Sequence, residues 1–323
     1  MTNSCRQFAF LLVSSFTIFN VCDALTAQDN RNQRSITRVA DSRGNAIANT
    51  PRAPFPPLTA AHQKYLDQVL GYWEHSSSQI KKYRCEFTRW QYDPVFGPRV
   101  DPTTGDVPAK TIATGVIQYE SPDKGMYEVS SLFDYTLPQK KGGKAQYVPR
   151  QDNVFEKWIC DGNSIFEFDF SRKVLIERGL PPEMRGKAIG DGPLPFMFGA
   201  EAEKVKRRYW IRVVTPANTT GEYWLEAWPK TQQDAANYRK VKVIIDEKDF
   251  LPKGIEIFAT NYDPKTNPAR TAFVFEERKV NFIGLKDLDK LQLFHNAFHR
   301  PKPPGKDWKK EVIKHGQPAQ PKS

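Results

Sequence analysis

The chain has 323 residues, of which 39% are hydrophobic, and its 48 basic and 37 acidic residues leave a net charge of +11. Beyond the N-terminal residues, no segment approaches the roughly 18 consecutive apolar residues of a membrane-spanning helix, which argues against a multi-span membrane protein. From Arg300 onward, seven basic and two acidic residues contribute +5 of the charge, so the rest carries the mixed charges of a solvated surface and no nucleic-acid partner is expected.

Residues 1–27 have the pattern of a signal peptide. Arg6 precedes an apolar stretch over residues 8–21, and Ala27 ends a small-residue cleavage site. We expect cleavage near Ala27 and a location in a bacterial periplasm or outside the cell. A retained N-terminal anchor and a lipoprotein signal at Cys22 are the alternatives; the lipoprotein signal is the weaker one, because the residues before Cys22 fit a lipobox poorly.

A linker and a helix follow. Residues 28–57 lack apolar periodicity and end in a proline-rich stretch, which predicts a disordered linker. Thr59 is the predicted N-cap of a long helix. Its apolar residues recur at spacings of three, four and seven and form one stripe, which a sheet must cover. The stripe consists of Leu66, Val69, Leu70, Trp73 and Ile80.

The next 200 residues are mostly strands. Alternating apolar and polar residues predict ten or eleven antiparallel strands, with Asp161 and Gly162 as a hairpin turn and a short helix over residues 231–238. Residues 285–299 are predicted to form a final helix, and residues 300–323 a basic disordered tail. The predicted fold class is α+β, built on an unclosed antiparallel sheet.

No catalytic or cofactor motif is present. The chain lacks a G-x-S-x-G elbow, a phosphate-binding loop, a dinucleotide fingerprint and an H-E-x-x-H zinc motif, so no enzyme activity, cofactor or metal is expected. Cys85 and Cys160 remain after signal cleavage. In an oxidising compartment they could form a disulfide, but two buried free thiols are equally compatible with their strand-like surroundings.

The positive signal is apolar surface. Aromatic residues make up 12% of the chain and recur at alternating positions along the strands. A single-layer sheet with one helix has more apolar surface than that helix can cover. The sheet therefore either curls over a packed core or leaves a groove for an apolar ligand. A compact apolar segment over residues 193–199 is predicted to form a short lid helix.

The ordered set of these segments resembles the LolA/LolB-like family of bacterial lipoprotein carriers over residues 59–282. "YRCEF" places Phe87 on the phenylalanine of the family's F-x-Q strand. "WICDGNSIFEFDF" resembles its D-G hairpin, and "PLPFMFGAEAEKVKRRYWI" resembles its lid segment, with Phe196 and Met197 on the lid helix. "TAFVFEERKVNF" places Asn281 on the asparagine of its terminal strand. The resemblance implies a half-wrapped β-barrel with a helical lid over a hydrophobic cavity.

Several positions depart from the family. Ser121 stands where the carriers have a lid-locking arginine, and Arg89 stands where the F-x-Q glutamine would be. Residues 94–110 and 137–153 are insertions without a counterpart. The chain also resembles a domain family of unknown function in secreted planctomycete proteins, a divergent LolA branch, so the fold transfers more safely than the function.

We therefore predict a LolA-like domain over residues 58–284 in an exported, monomeric, non-enzymatic protein. It would bind a lipid or a lipoprotein acyl chain in a hydrophobic groove. The alternative is an envelope interaction module with a filled core, whose residues 300–323 bind an anionic surface. The predicted groove residues are Phe87, Tyr119, Tyr127, Phe166, Phe168, Phe196, Met197, Phe198 and Trp224.

Overall fold

The computed structural model describes residues 52–98, 107–137, 146–151, 155–182, 201–282 and 301–313, together with Arg185, Phe196 and Phe298. The signal peptide, most of the predicted linker and lid helix, and all of the predicted C-terminal helix except Phe298 lie outside these residues. Within them, helix α1 spans Ala60–Ser78. Its N-cap is Thr59, as predicted, because the Thr59 hydroxyl accepts a hydrogen bond of 3.2 Å from the His62 backbone N–H.

Thirteen strands of the described residues form one sheet. They are β1 (Lys82–Tyr92), β2 (Thr111–Glu120), β3 (Lys124–Thr136), β4 (Gln146–Pro149), β5 (Lys157–Asp161), β6 (Ser164–Asp169), β7 (Val174–Gly179), β8 (Tyr209–Val213), β9 (Glu222–Pro229), β10 (Lys240–Asp246), β11 (Pro252–Phe258), β12 (Arg270–Val280) and β13 (Lys309–Ile313). The order is β13-β7-β6-β5-β3-β2-β1-β12-β11-β10-β9-β8, with β4 paired to β3. The predicted α+β class with an unclosed sheet is confirmed, since β13 and β8 end this order without pairing to each other.

Two short helices interrupt the strands. Helix α2 spans Ala202–Arg208 and runs directly into β8. Helix α3 spans Gln232–Ala235, inside the short helix predicted from the sequence, and is capped by Thr231. The predicted Asp161–Gly162 turn is also confirmed: Gly162 has a φ of 92°, and the Asp161 carboxylate accepts from the backbone N–H groups of the two residues that follow the turn.

The two faces of the sheet differ, because successive residues of a strand point to opposite sides and cross-strand partners share a side. The face that carries Phe87 of β1 packs against α1, and we call it the helix face. Its buried residues join the helix stripe in one apolar cluster. The other face, which carries Phe166 of β6, we call the outer face. It has a second, smaller cluster around Phe166 and Leu175, which Phe298 covers.

Asn281 connects the end of the sheet to the end of the helix. Its side-chain oxygen accepts from the Lys81 backbone N–H at 2.7 Å, and its amide donates to the Gln79 carbonyl at 2.7 Å. The residue itself adopts a left-handed backbone with a φ of 48°, a conformation that asparagine tolerates better than most residues. The asparagine singled out by the family resemblance therefore holds the connection between α1 and β1.

The C-terminal segment corrects two predictions. Lys309–Ile313 form β13, which pairs in parallel with β7, so a disordered tail from residue 300 is wrong for residues 309–313 and the sheet is not purely antiparallel. Trp308, just before β13, packs edge-on against Phe168 and Phe170. The strand count of ten or eleven was too low, because β4 and β13 lie in segments whose sequences are dominated by charge, proline and glycine.

The end of the predicted linker also contacts the sheet. The Phe55 ring lies 5.4 Å from the Trp228 ring on the outer face, and the Arg212 guanidinium lies 5.0 Å from the Phe55 centroid. Residues 52–57 are thus held by an aromatic and cationic contact. The prediction of a linker over residues 28–57 places the domain boundary a few residues too late.

A buried carboxylate sits between two cations on the outer face. The Glu226 side chain accepts from Lys240 Nζ at 2.6 Å and from Arg212 Nη2 at 2.9 Å. Burial alone raises the pKa of Glu226, but the hydrogen bonds and charges of Lys240 and Arg212 outweigh it and hold the pKa below its ordinary value of 4.5. Glu226 therefore stabilises the folded chain in its ionised form.

We expect Glu226→Gln to lower the free energy of unfolding at pH 7 by about 1–3 kcal/mol and to flatten its acid dependence. The contribution of Glu226 is complete above pH 4.5 and is lost as the pH falls through the lower folded-state pKa. Urea denaturation between pH 7 and pH 3 measures both effects. Glu86→Gln removes an exposed partner of Arg84 and should cost less than about 1 kcal/mol. An acid slope unchanged in Glu226→Gln would contradict the assignment.

Candidate functional site

A row of three stacked aromatic rings crosses the helix face. The Phe87 and Tyr127 rings lie 4.9 Å apart with 14° between their planes, and the Tyr127 and Trp158 rings lie 5.6 Å apart with 15° between theirs. Phe87 reaches Tyr127 across β2 because Gly115 lies between them without a side chain. We call Phe87, Tyr127 and Trp158 the aromatic row.

Helix α1 and Phe196 cover part of the helix face near β8. The Trp73 ring of α1 is stacked on Phe196 with the centroids 6.4 Å apart, and Phe196 lies 4.9 Å from the ring of Tyr209 on β8. All three rings are buried. Phe196 therefore packs between the helix and the sheet.

One charged side chain lies within this apolar layer. Arg89 follows Phe87 on the helix face of β1, and only 9% of the residue is exposed. Its Nη1 and Nη2 donate to the two carboxylate oxygens of Glu156 at 2.7 Å and 2.9 Å, and Nη1 also donates to the Tyr127 hydroxyl at 2.9 Å. The aromatic row thus has a guanidinium beside it. The two terminal nitrogens of a guanidinium can donate a parallel pair of hydrogen bonds to one carboxylate, as they do here.

The protonation states of this group are well defined. Burial disfavours the charged guanidinium, but the contacts with Tyr127 and Glu156 outweigh burial and raise the pKa of Arg89. Burial is also the main cause that raises the pKa of Tyr127 above its ordinary value of 10. At neutral pH the site therefore presents a permanent positive charge and a neutral hydroxyl.

Buried polar atoms that have no hydrogen-bond partner among the described residues include one on the helix face of β1 and two on α1. They are Nε of Arg89, Nε1 of Trp73 and Oγ of Ser77. Trp73 and Ser77 lie on the buried stripe of α1, and Arg89 lies on the face of the sheet that carries Phe87. Unpaired buried donors are rare and costly in folded proteins, which marks this layer as a place where a polar ligand atom or water fits.

The structure divides the predicted groove residues between the two faces. Four lie in the cluster of the helix face: Phe87, Tyr119, Tyr127 and Phe196. Phe166 pairs with Ile159, which pairs with Met126, so Phe166 and Phe168 lie on the outer face, and assigning them to the same groove as Phe87 was wrong. Met197 and Phe198 lie outside the described residues.

Trp224 is also on the outer face. Its strand neighbour Leu225 is buried in the cluster of the helix face, and the alternation of side chains turns Trp224 the other way. There its ring nitrogen donates to Glu222 at 2.7 Å, and Lys242 Nζ lies 5.4 Å from the ring. Trp224 therefore belongs to the charged outer surface, and the prediction that it lines the same groove as Phe87 is wrong.

The sequence reasoning missed the polar centre of the site. Arg89 stands where the family has a glutamine, and its two-residue spacing from Phe87 puts both residues on one face of β1. Trp158 carries the same signal in the alternating strand "KWICD". Glu156 has no such signal, because it precedes β5 and its approach to Arg89 depends on the tertiary fold.

The two cysteines are free and buried. Burial raises the pKa of the Cys85 thiol to about 12 and that of the Cys160 thiol to about 11, so both stay protonated at neutral pH. Cys160 instead donates a hydrogen bond to the Asp123 carbonyl at 3.2 Å. Of the two states left open by the sequence, the structure therefore has the buried thiols.

The part of the chain that the structure describes contains neither a metal-binding cluster nor a membrane-spanning helix. There, no group of three or more histidine, cysteine, aspartate or glutamate side chains is arranged to hold a metal ion. None of the helices described combines the length and the apolar character needed to cross a membrane.

Comparisons with known proteins give structural neighbours only. No family model matches the chain, and no curated protein matches it. An uncharacterized conserved protein from Thermus thermophilus is similar over 77% of this chain and 99% of its own, at 7% identity and a TM-score of 0.38. A LolA superfamily protein from Nitrosomonas europaea is similar over 69% and 96%, at 10% identity and a TM-score of 0.29.

A Vibrio parahaemolyticus domain described as outer membrane lipoprotein-sorting is similar over 71% of this chain and 99% of its own, at 11% identity and a TM-score of 0.27. The family named from the sequence resemblance thus recurs among these neighbours. TM-scores this low carry no functional argument, so any function has to be argued from the residues of this chain.

Proposed function

We propose that this protein is an exported, non-catalytic binding protein for an amphipathic lipid or acyl chain, held between α1 and the helix face of the sheet. The observation that carries the proposal is the combination of an apolar layer with unpaired buried donors. Buried donors without an acceptor are uncommon in a filled core, and those of Arg89, Trp73 and Ser77 lie on the helix face of the sheet or on the helix stripe that packs on it.

The apolar part of the ligand would lie along the aromatic row. Each methylene transferred from water to this layer contributes about 0.8 kcal/mol, so one acyl chain suffices for useful affinity without many polar contacts. Trp158 is the half-buried end of the row, where a chain could enter without unfolding the core. Phe87 and Tyr127 are buried and would form the inner wall.

Two tryptophans make a matched test, because Trp158 and Trp224 are both half-buried but lie on opposite faces. Full-length protein is purified without detergent from cells that export it and examined by native mass spectrometry. We expect the wild type to carry bound lipid, Trp158→Ala to lose about nine-tenths of it, and Trp224→Ala to retain it. A wild-type protein that carries no lipid and takes up no added dodecanol would refute the proposal.

A further inference from the structure

Arg89 is placed where a structural arginine is costly. It lies between Phe87 and the end of β1, opposite Ala113 of β2 and Phe273 of β12, in the apolar layer of the helix face. Moving a charged side chain from water into a protein interior costs on the order of several kcal/mol, even after the protein relaxes around it. Apolar residues of similar volume often replace buried ion pairs without loss of stability. A reason beyond packing is therefore needed for the charge.

The two members of the Arg89–Glu156 ion pair differ in their exposure to solvent. The Arg89 side chain is 11% exposed and the Glu156 side chain 32%, so the carboxylate is at the solvent end of the pair and the guanidinium at the inner end. Glu156 also comes from the segment that precedes β5 and is not held in a strand itself. Its carboxylate can leave the guanidinium for water at a smaller cost than the reverse.

The guanidinium also has unused hydrogen-bonding capacity. Its two terminal nitrogens donate to Glu156 and Tyr127, while Nε has no partner among the described residues. A guanidinium offers five donors, and an acidic oxygen at the Nε edge would pair a donor that is otherwise buried without an acceptor. The adjoining Tyr127 hydroxyl belongs to the aromatic row, so this edge adjoins the apolar surface.

We propose that Arg89 receives the acidic headgroup of an amphiphile, a carboxylate or a phosphate, and that Glu156 occupies the guanidinium until this headgroup displaces it. The alkyl chain then lies along the aromatic row. This inference rests on the proposed function and adds the ligand class: an anionic amphiphile in preference to a neutral one. Glu156 acts as an internal competitor, which lowers affinity and makes the bound headgroup releasable.

The test compares three ligands with the same chain length: dodecanoate, dodecyl phosphate and dodecanol. Each is titrated at pH 7 into the detergent-free protein from which co-purified lipid has been extracted, and binding is followed by calorimetry. We expect at least one acidic ligand to bind about tenfold or more tightly than dodecanol, since hydrogen bonds to a charged group are involved. The preferred headgroup is identified by which acidic ligand, dodecanoate or dodecyl phosphate, binds with the lower Kd.

Two variants test whether the Arg89–Glu156 pair causes the preference for acidic ligands. Arg89→Gln is expected to bring the acidic ligands to the affinity of dodecanol, and Glu156→Gln to strengthen acidic binding by about tenfold or more without affecting dodecanol. Arg270→Gln is the matched control, because Arg270 pairs with Glu256 on the outer face, and it should leave all three affinities unchanged.

The outcomes separate the two proposals. If the wild type binds acidic and neutral ligands with equal affinity, and Glu156→Gln does not change these affinities, the proposed role of Arg89 is wrong. The proposed binding function is then unaffected. Failure of all three ligands to bind a wild-type protein that carries no co-purified lipid overturns the proposed function itself. Should Arg89→Gln not fold, the wild-type comparison and Glu156→Gln still decide the question.

Discussion

Trp73→Ala is expected to lower the free energy of unfolding by about 3–5 kcal/mol. Trp73 is 1% exposed and is among the largest fully buried side chains of the described residues. Its ring is stacked against Phe196 and joins the stripe of α1 to the cluster of the helix face. The cavity cannot close fully, because Asn281 ties the end of the helix to the end of the sheet. Urea denaturation at pH 7 measures the loss.

The neighbouring residue supplies the control for this prediction. Tyr72 is 57% exposed and packs at the rim of the layer against the Phe250 ring, with the ring centroids 4.9 Å apart. Tyr72→Ala should therefore cost about 0.5–1.5 kcal/mol, the usual contribution of one aromatic pair. Similar losses for both variants would mean that α1 does not hold its stripe against the sheet, and the site built on that layer would have to be abandoned.

The second large effect is expected at Gly115. A Cβ there would lie 2.0 Å from the Glu128 carbonyl oxygen and 2.6 Å from a Phe87 ring carbon. The first of these atoms belongs to the backbone of β3, which cannot move without breaking the pairing of β2 with β3. We expect Gly115→Ala to cost about 3 kcal/mol, at the upper end of the range for overpacking, as measured by thermal and urea denaturation.

Gly179 is the matched control, since it also lies in a strand but a Cβ there would meet nothing within 4 Å. Gly179→Ala should stay within about 1 kcal/mol of the wild type and could be stabilising, because alanine restricts the unfolded chain more than glycine does. If Gly115→Ala is as harmless as Gly179→Ala, the aromatic row cannot have the close packing across β2 that is described above.

Features that depend on neighbours along the chain were predictable. Helix α1 followed from its cap and from apolar residues spaced by three and four, and the turn at Asp161 and Gly162 followed from a dipeptide that accepts a positive φ. The alternating pattern of most strands was equally visible. Each of these signals lies within about ten residues, where backbone geometry alone relates one side chain to the next.

The candidate site was predictable only in part. Alternation shows that Phe166 and Phe168 share one face of their strand, but it does not show whether Phe87 shares that face. This depends on the register through β2, β3 and β5, including the irregularity between Thr114 and Gly115. One shifted residue turns a whole strand over, so aromatic content alone placed Phe166, Phe168 and Trp224 in a groove to which they do not belong.

The sequence by itself determined the helix stripe, the strand-rich α+β class, the turn chemistry and the absence of known catalytic motifs. Only the tertiary structure decided that Glu156 meets Arg89, that Phe196 packs between Trp73 and Tyr209, and that Lys309–Ile313 complete the sheet beside β7. The physical reason is distance along the chain. Periodicity is a local property of the backbone, whereas these contacts join residues 13 to 135 positions apart, and their pairing depends on the packing of the whole sheet.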